Sequence, residues 1–128
     1  MAALSSYGSG ISLELAQKSL DALWLKQTVI SSNLANVDTP GYKSRTVEFE
    51  SILEDALSQA GSLTESDLDS IEAEVKVDYT TAAREDGNNV DVDAESIELA
   101  RVQMQYEYLI RAVSSELERT KYVVTETT

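Results

Sequence analysis

Two apolar stripes at helical spacing, one near each end of the 128-residue chain, constrain the fold more than any other feature. In the first stripe, apolar residues recur at alternating steps of three and four, with Gln27 as the one polar interruption. This spacing puts the side chains on one side of an α-helix and is typical of a coiled-coil seam. The stripe comprises Leu13, Ala16, Leu20, Leu23, Gln27, Ile30, Leu34 and Val37.

Local signals predict the limits of this first helix. Ser12 is a suitable N-cap, and Pro40-Gly41 marks the end because proline disfavours helical backbone at the residue before it. Residues 1–12 are rich in Ser and Gly, a composition that buries too little apolar surface to order itself, so a flexible leader is expected there. The predicted helix therefore begins at about Leu13.

The second stripe predicts a helix from about residue 94 to residue 124, capped by Asp91 or Asp93. Its positions are Leu99, Val102, Tyr106, Leu109, Val113, Leu117, Thr120 and Val124. Because an amphipathic helix gains most of its stability from packing, each stripe needs a partner. We expect the two helices to pair as an antiparallel coiled coil, with neighbouring molecules completing the apolar surfaces. The predicted subunit-packing residues are the first six positions of this second stripe together with Leu13, Leu20, Leu23, Ile30 and Leu34.

An acidic segment separates the two stripes. From Ser44 to Glu95 there are 15 Asp and Glu residues against three bases. An apolar patch from Val47 to Leu57 predicts a brief helix, and the alternation from Ile71 to Tyr79 predicts one extended strand. The expected fold is mainly α, with a leader, helix and turn at 1–43, an outward-facing, partly extended or disordered middle at 44–90, and a C-terminal helix at 91–128.

Composition argues against several classes of function. The formal net charge of −13 repels phosphate and anionic lipid, so neither nucleic-acid nor direct lipid binding is expected. His and Cys are absent, which removes the commonest general base and a common nucleophile. Residues 86–93 fail the calcium-loop template, because Val90, Asp91 and Ile97 stand where a ligand, a glycine and the closing Glu are required. We therefore expect no enzyme, metal or cofactor, and residues 86–89 are interpreted as a turn.

The segment from Ser31 to Lys43 is the most informative stretch of the chain. Asn33 and Asn36 lie three residues apart near the end of the predicted first helix. Their amides could bind free backbone groups at the helix end, or they could bind a neighbouring chain and fix its register.

These residues closely resemble the N-terminal signature of the bacterial flagellar rod and hook protein family, S-x-N-x-A-N-x-x-T-x-G-Y-K. The matching residues are Ser31, Asn33, Ala35, Asn36, Thr39, Gly41, Tyr42 and Lys43. Asp38 and Pro40 complete a D-T-P-G-Y-K form that is similar to that of proximal-rod members. Residues 86–95 are similar to the segment that opens the C-terminal helix in that family, and Ala100, Tyr106 and Leu109 continue the match.

The resemblance implies a structural subunit of the proximal rod of the flagellar basal body, outside the cytoplasmic membrane. Such a subunit is exported by the flagellar type III apparatus without a cleaved signal, and it self-associates into a helical tube that transmits motor torque. Its partners would be other rod proteins, the adaptor that joins the rod to the membrane ring, and the export gate. The alternative is an acidic coiled-coil adaptor or export chaperone, which would form a discrete complex with its client and no polymer.

Overall fold

The computed structural model describes residues 9–60 and 63–127, and two long helices dominate it. Helix α1 spans Ser9–Ala35 and the last helix spans Val92–Thr127; the two pack against each other. The predicted mainly helical fold is confirmed. Helix α1 begins before Ser12, so the predicted N-cap at that residue is wrong. The burial of Leu15 and Ala16 stabilises the first turns despite their Ser and Gly content. Of the flexible leader predicted for residues 1–12, residues 9–12 belong to this helix instead, and residues 1–8 lie outside the described residues.

The end of α1 also differs from the prediction. The helix ends at Ala35, five residues before Pro40, and residues 36–38 form a turn. The Asn36 backbone N–H donates to the carbonyls of Ser32 and Asn33, both at 3.1 Å. Thr39 then donates its backbone N–H to the Asn36 carbonyl at 3.0 Å. Local hydrogen bonds at Asn36 and Thr39 therefore accompany the end of the helix, which lies upstream of Pro40.

The middle segment contains two helices and a two-stranded sheet. Strand β1 is Arg45–Glu48, helix α2 is Glu50–Ala60, helix α3 is Glu65–Asp69 and strand β2 is Glu74–Val77. The strands are antiparallel, and Val47 lies opposite Val75. The strand predicted from the alternation at Ile71–Tyr79 is thus present but shorter, and its partner β1 was missed. Val47 belongs to strand β1. The short helix predicted from the apolar patch at Val47–Leu57 is present as α2, which begins at Glu50.

The largest cluster of buried apolar side chains joins this middle segment to the first half of α1. Leu68 and Ile71 are almost completely inaccessible to solvent, at 0% and 1%. A fully buried side chain of this kind contributes roughly 1.5–3 kcal/mol through the hydrophobic effect. The cluster consists of Leu15, Ala22, Phe49, Leu63, Leu68 and Ile71. A segment that is acidic in sequence is therefore anchored by a few apolar residues.

Helix α4, Val92–Thr127, begins at a side-chain cap and packs along α1. The Ala94 N–H donates to Asp91 Oδ1 at 3.2 Å, so Asp91 is the capping residue and Asp93 lies in the first turn. Near the middle of the pair, the rings of Trp24 and Tyr106 lie 6.2 Å apart. Within the described residues, no helix combines the length and the apolar composition that crossing a bilayer would require.

Candidate functional site

The signature turn at residues 36–45 and the turn at residues 84–91 are joined by a dense set of hydrogen bonds, which we call the clasp. The clasp lies where the chain leaves α1, enters β1 and later begins α4. Its central side chains are Asn33, Asn36, Asn88 and Asn89, of which Asn33 and Asn88 are completely buried.

Asn33 uses all of its hydrogen-bonding capacity. Its Oδ1 accepts from the Tyr42 hydroxyl at 2.9 Å and from the Arg45 backbone N–H at 3.0 Å. Its Nδ2 donates to the Arg45 carbonyl at 2.8 Å and to Glu95 Oε2 at 3.1 Å. The amide thus pairs with Arg45 as a neighbouring strand would, and it links α1, β1 and α4 through one side chain.

Asn88, in the turn at residues 84–91, binds the backbone of the signature turn. Its Nδ2 donates to the carbonyls of Asn36 and Thr39, at 2.7 and 2.9 Å. Its Oδ1 accepts from the Val90 N–H at 2.9 Å. Asn36 itself is bound locally, with Nδ2 donating to the Ser32 carbonyl at 2.8 Å. Asn88 thus binds two carbonyls of the signature turn, and the local hydrogen bond of Asn36 stabilises the start of the same turn.

Further bonds close the clasp along its length. Asn89 accepts the Ser44 N–H at 2.6 Å and donates to the Asp78 carbonyl at 2.7 Å, which ties the clasp to the end of β2. The Lys43 ammonium donates to the Gly87 carbonyl. The Arg84 guanidinium donates to the carbonyls of Val37 and Val90. Among the side chains that the structure describes, no buried nitrogen or oxygen lacks a hydrogen-bond partner.

Two glycines allow the turns to touch. Gly41 and Gly87 both have positive φ, at 74° and 84°, a conformation that strains residues with a side chain. A Cβ on Gly87 would lie 3.2 Å from the Gly41 Cα, so the close backbone approach also requires glycine at position 87. The Gly41 N–H donates to the Asp86 carbonyl at 2.8 Å across this contact.

One carboxylate in the clasp has an unfavourable environment for its charge. Burial raises the pKa of the Glu95 carboxyl, and the negative charges of Glu98 and Asp91 raise it further. The hydrogen bond from Asn33 acts in the opposite direction. At the nearby turn after β2, hydrogen bonds from Thr81 and Thr80 hold the pKa of Asp78 far below its usual value.

The structure places the signature residues in different environments. Asn33 and Asn36 bind backbone groups of their own chain, which is the first of the two alternatives left open by the sequence. Tyr42 and Lys43 point into the clasp, whereas Asp38, Thr39 and Pro40 are exposed. Arg84 and Glu95 were missed as members of the site. The local sequence gives no sign that Arg84 belongs to the site, because its two carbonyl partners lie 47 and 6 residues away in the chain.

The predicted subunit-packing residues divide into buried and open positions along the two helices. Ile30 and Val102, nearer the clasp, are buried at 6% and 0% exposure. Leu13 and Leu117, farther from it, are 43% and 50% exposed. The other positions are partly buried, namely Leu20, Leu23, Leu34, Leu99, Tyr106, Leu109 and Val113. The apolar seam is closed next to the clasp and open at its other end.

Comparison with known proteins identifies the class. Residues 13–43, which run from the first stripe through the signature turn, match the family described as Flagella basal body rod protein. Flagellar basal body rod protein FlgB of Bacillus subtilis (strain 168) is 35% identical over 108 residues, covering 79% of this chain and 83% of its own length. FlgB of Borrelia hermsii is 39% identical, with 75% and 82% covered. FlgB of Escherichia coli (strain K12) is 29% identical, with 82% and 86% covered.

The chain is therefore a flagellar basal body rod protein. Within that class, it belongs to the FlgB family. This confirms the resemblance drawn from the signature turn, and the protein is a structural subunit of the rod and not an enzyme.

Proposed function

We propose that this protein is a subunit of the proximal rod and that copies of it polymerise into the tubular axle that transmits motor torque. The observation that carries the proposal is the clasp, in which the residues of the family signature fix the geometry between the two long helices. A rigid joint of this kind suits a part under torque, because densely packed and hydrogen-bonded elements resist deformation.

The two terminal helices form the assembly element as an antiparallel coiled coil. Two contacts support this arrangement: Asn33, late in α1, meets Glu95, early in α4, and Trp24 meets Tyr106 farther along. The pairs run in opposite order along the two helices. The exposed residues Leu13 and Leu117 at the open end of the seam then pack against neighbouring subunits.

A head-to-tail contact that does not close into a ring generates a helical tube, so each subunit presents two different surfaces. The helices line the inner layer and the acidic middle segment faces outward. The subunit lies in the cell envelope outside the cytoplasmic membrane after export by the type III apparatus. Its partners are other rod proteins, the adaptor to the membrane ring and the export gate.

Deletion of the gene, followed by purification of basal bodies, tests the proposed role. We expect basal bodies without a rod and non-motile cells, with both defects reversed by the wild-type gene. Complementation with Leu13→Asn/Leu117→Asn, two positions already exposed in the single chain, should give stable protein but no rod. The control Gln17→Asn/Ser114→Asn alters two other exposed positions of the same helices and should restore motility.

The deletion experiment also distinguishes the rod role from the alternative function. An acidic adaptor or export chaperone would stay in the cytoplasm in a discrete complex with its client, and rods would still form in its absence. Intact rods in the deletion strain would overturn the proposal.

A further inference from the structure

Helix α4 carries a second apolar face, turned away from buried Val102, with Tyr108 at the edge of the groove between α4 and α1. Ile97, Met104 and Tyr108 are 64%, 72% and 65% exposed, whereas Val102 is completely buried. Arg101 and Arg111 lie on the same side as the exposed residues, because the five positions are separated by steps of four and three. We call residues 97, 101, 104, 108 and 111 the arginine face.

The charge of this face differs from that of the rest of the chain. None of its five positions is acidic, in a chain of net charge −13. Arg101 forms an ion pair with Glu98 at 3.4 Å, between side chains that are 63% and 42% exposed, and such a solvent-accessible pair contributes little to stability. Arg111 is exposed and has no hydrogen-bond or ion-pair partner among the residues that the structure describes. Apolar and cationic side chains thus remain available together on one side of the helix.

The complementary surface is present on the same molecule, and one of its members, Glu54, lines the groove that Tyr108 also lines. Residues 50–75 contain eight acidic residues and no basic residue. Glu50 is paired with Lys26, but Glu54, Asp55, Glu65 and Asp69 are exposed. We call these four carboxylates the acidic shoulder. The shoulder is attached to the buried core through Leu68 and Ile71 on the α3 side and through Ile52 and Leu53 of α2, so its position relative to the helices is set by that core.

We propose that the arginine face of one copy docks on the acidic shoulder of the next copy. This inference rests on the proposed rod function and names the two surfaces of the head-to-tail contact. Charge complementarity is what selects a second copy: each chain carries one surface of each kind, on different elements, so a head-to-tail contact leaves one of each free and can repeat from copy to copy. Ile97, Met104 and Tyr108 supply the apolar area, and the arginines direct the register.

Sedimentation velocity of the purified full-length chain, over a range of concentrations, tests the contact. Ionic strength is held at about 0.15 M so that long-range repulsion is screened equally in all samples. Arg101→Gln/Arg111→Gln is expected to weaken self-association roughly tenfold or more, the scale of one or two interfacial charge pairs. Gln17→Glu/Gln103→Glu makes the same change in net charge at exposed positions off both surfaces and should associate like the wild type.

Charge exchange then tests the pairing itself. Arg101→Glu/Arg111→Glu and Glu65→Lys/Asp69→Lys should each fail to self-associate. A mixture of the two variants should associate, because one partner now offers carboxylates where the other offers ammonium groups. If the mixture stays dissociated while each variant keeps the wild-type circular dichroism spectrum, the pairing is wrong.

Cross-linking locates the contact without changing its charges. The chain has no cysteine, so a single introduced thiol reacts without background. Mixing a Met104→Cys preparation with a Ser66→Cys preparation should give a disulfide-linked dimer on oxidation, whereas Gln17→Cys mixed with Ser66→Cys should not. Equal yields in both mixtures would count against the proposed contact.

The outcomes separate this inference from the proposed function. If Arg101→Gln/Arg111→Gln associates like the wild type while Leu13→Asn/Leu117→Asn does not, the rod role stands and the docking surface is wrong. If the wild-type chain does not associate at any concentration and the deletion strain still has rods, both fail. If the chain associates only with another acidic rod component through the same arginines, the second copy is the wrong occupant.

Discussion

Asn33 is the residue on which the clasp depends most. Asn33→Ala would leave the Arg45 N–H, the Arg45 carbonyl and the Tyr42 hydroxyl without their partner in a part-buried setting. We expect a loss of about 3 kcal/mol in the free energy of unfolding, since each unsatisfied buried group costs roughly 1–3 kcal/mol. Asn36→Ala is the matched control: its side chain is only half-buried and bonds locally, so about 1 kcal/mol is expected. Urea unfolding followed by circular dichroism measures both, and equal losses would contradict this ranking.

The two glycines of the clasp should differ in their tolerance of a side chain. At Gly41 a Cβ meets no atom within 4 Å, so Gly41→Ala costs only the strain of positive φ, about 1 kcal/mol. At Gly87 the same strain is added to a contact of 3.2 Å with the Gly41 backbone, which cannot move as a flexible side chain would. We therefore expect Gly87→Ala to destabilise the protein by about 2–3 kcal/mol in the same unfolding experiment. Similar values for the two variants would show that the turns separate easily.

Glu95 gives the clasp a pH dependence of defined sign. Its pKa is raised in the folded protein above the value of about 4.5 typical of the unfolded chain, so the folded state binds the proton more tightly. The resulting stability is fully present below that value and is lost as pH rises through the folded pKa. Glu95→Gln keeps an acceptor for Asn33 but removes the charge, so its stability advantage over the wild type should be larger at pH 7 than at pH 4. Glu107→Gln removes an equal charge from an exposed position of α4 and controls for net charge.

Among the elements, α3 shows how a five-residue helix is held in place. Its capping box is complete, with Thr64 and Asp67 exchanging hydrogen bonds, yet a helix this short is not stable alone. Leu68→Ala should therefore cost about 2–5 kcal/mol, because it opens a cavity in the cluster that anchors α3 to α1. Met104→Ala, at a position 72% exposed, should change stability by less than about 0.5 kcal/mol. Urea midpoints compare the two, and loss of amide protection confined to residues 63–71 would show local detachment.

The elements also differ in how far sequence could define them. The two long helices and their apolar faces follow from the stripes, because a period of three and four residues recurs over many turns. Strand β1 could not be found in this way: four residues with one apolar side chain at Val47 give almost no signal. Its existence depends on Asn33 and on β2, which are brought alongside only by the folded chain. The extension of α1 to Ser9 likewise depends on tertiary packing, against a Ser- and Gly-rich local sequence.

For the whole molecule, net charge sets the conditions of assembly. Copies that each carry a formal charge of −13 repel one another, and the two arginines of the arginine face do not offset that repulsion at long range. Raising ionic strength from about 0.01 M to about 0.15 M shortens the screening length from roughly 30 Å to roughly 8 Å, so polymerisation should increase. Light scattering at fixed protein concentration measures the effect. Assembly that is insensitive to salt would contradict the expected repulsion between copies.

The sequence by itself determined the helical class, the two apolar faces and the family signature, because each is encoded in residues close together in the chain. Tertiary structure alone decided which groups the signature residues bind. Asn33, Asn88 and Arg84 reach partners as many as 62, 52 and 47 residues away, and only the closed fold brings these groups within hydrogen-bonding distance. The same holds for the arginine face: its side chains can be counted from the sequence, but only the packing of α4 on α1 leaves them exposed. Local periodicity specifies a helix, whereas the tertiary fold decides which element packs on each face of that helix.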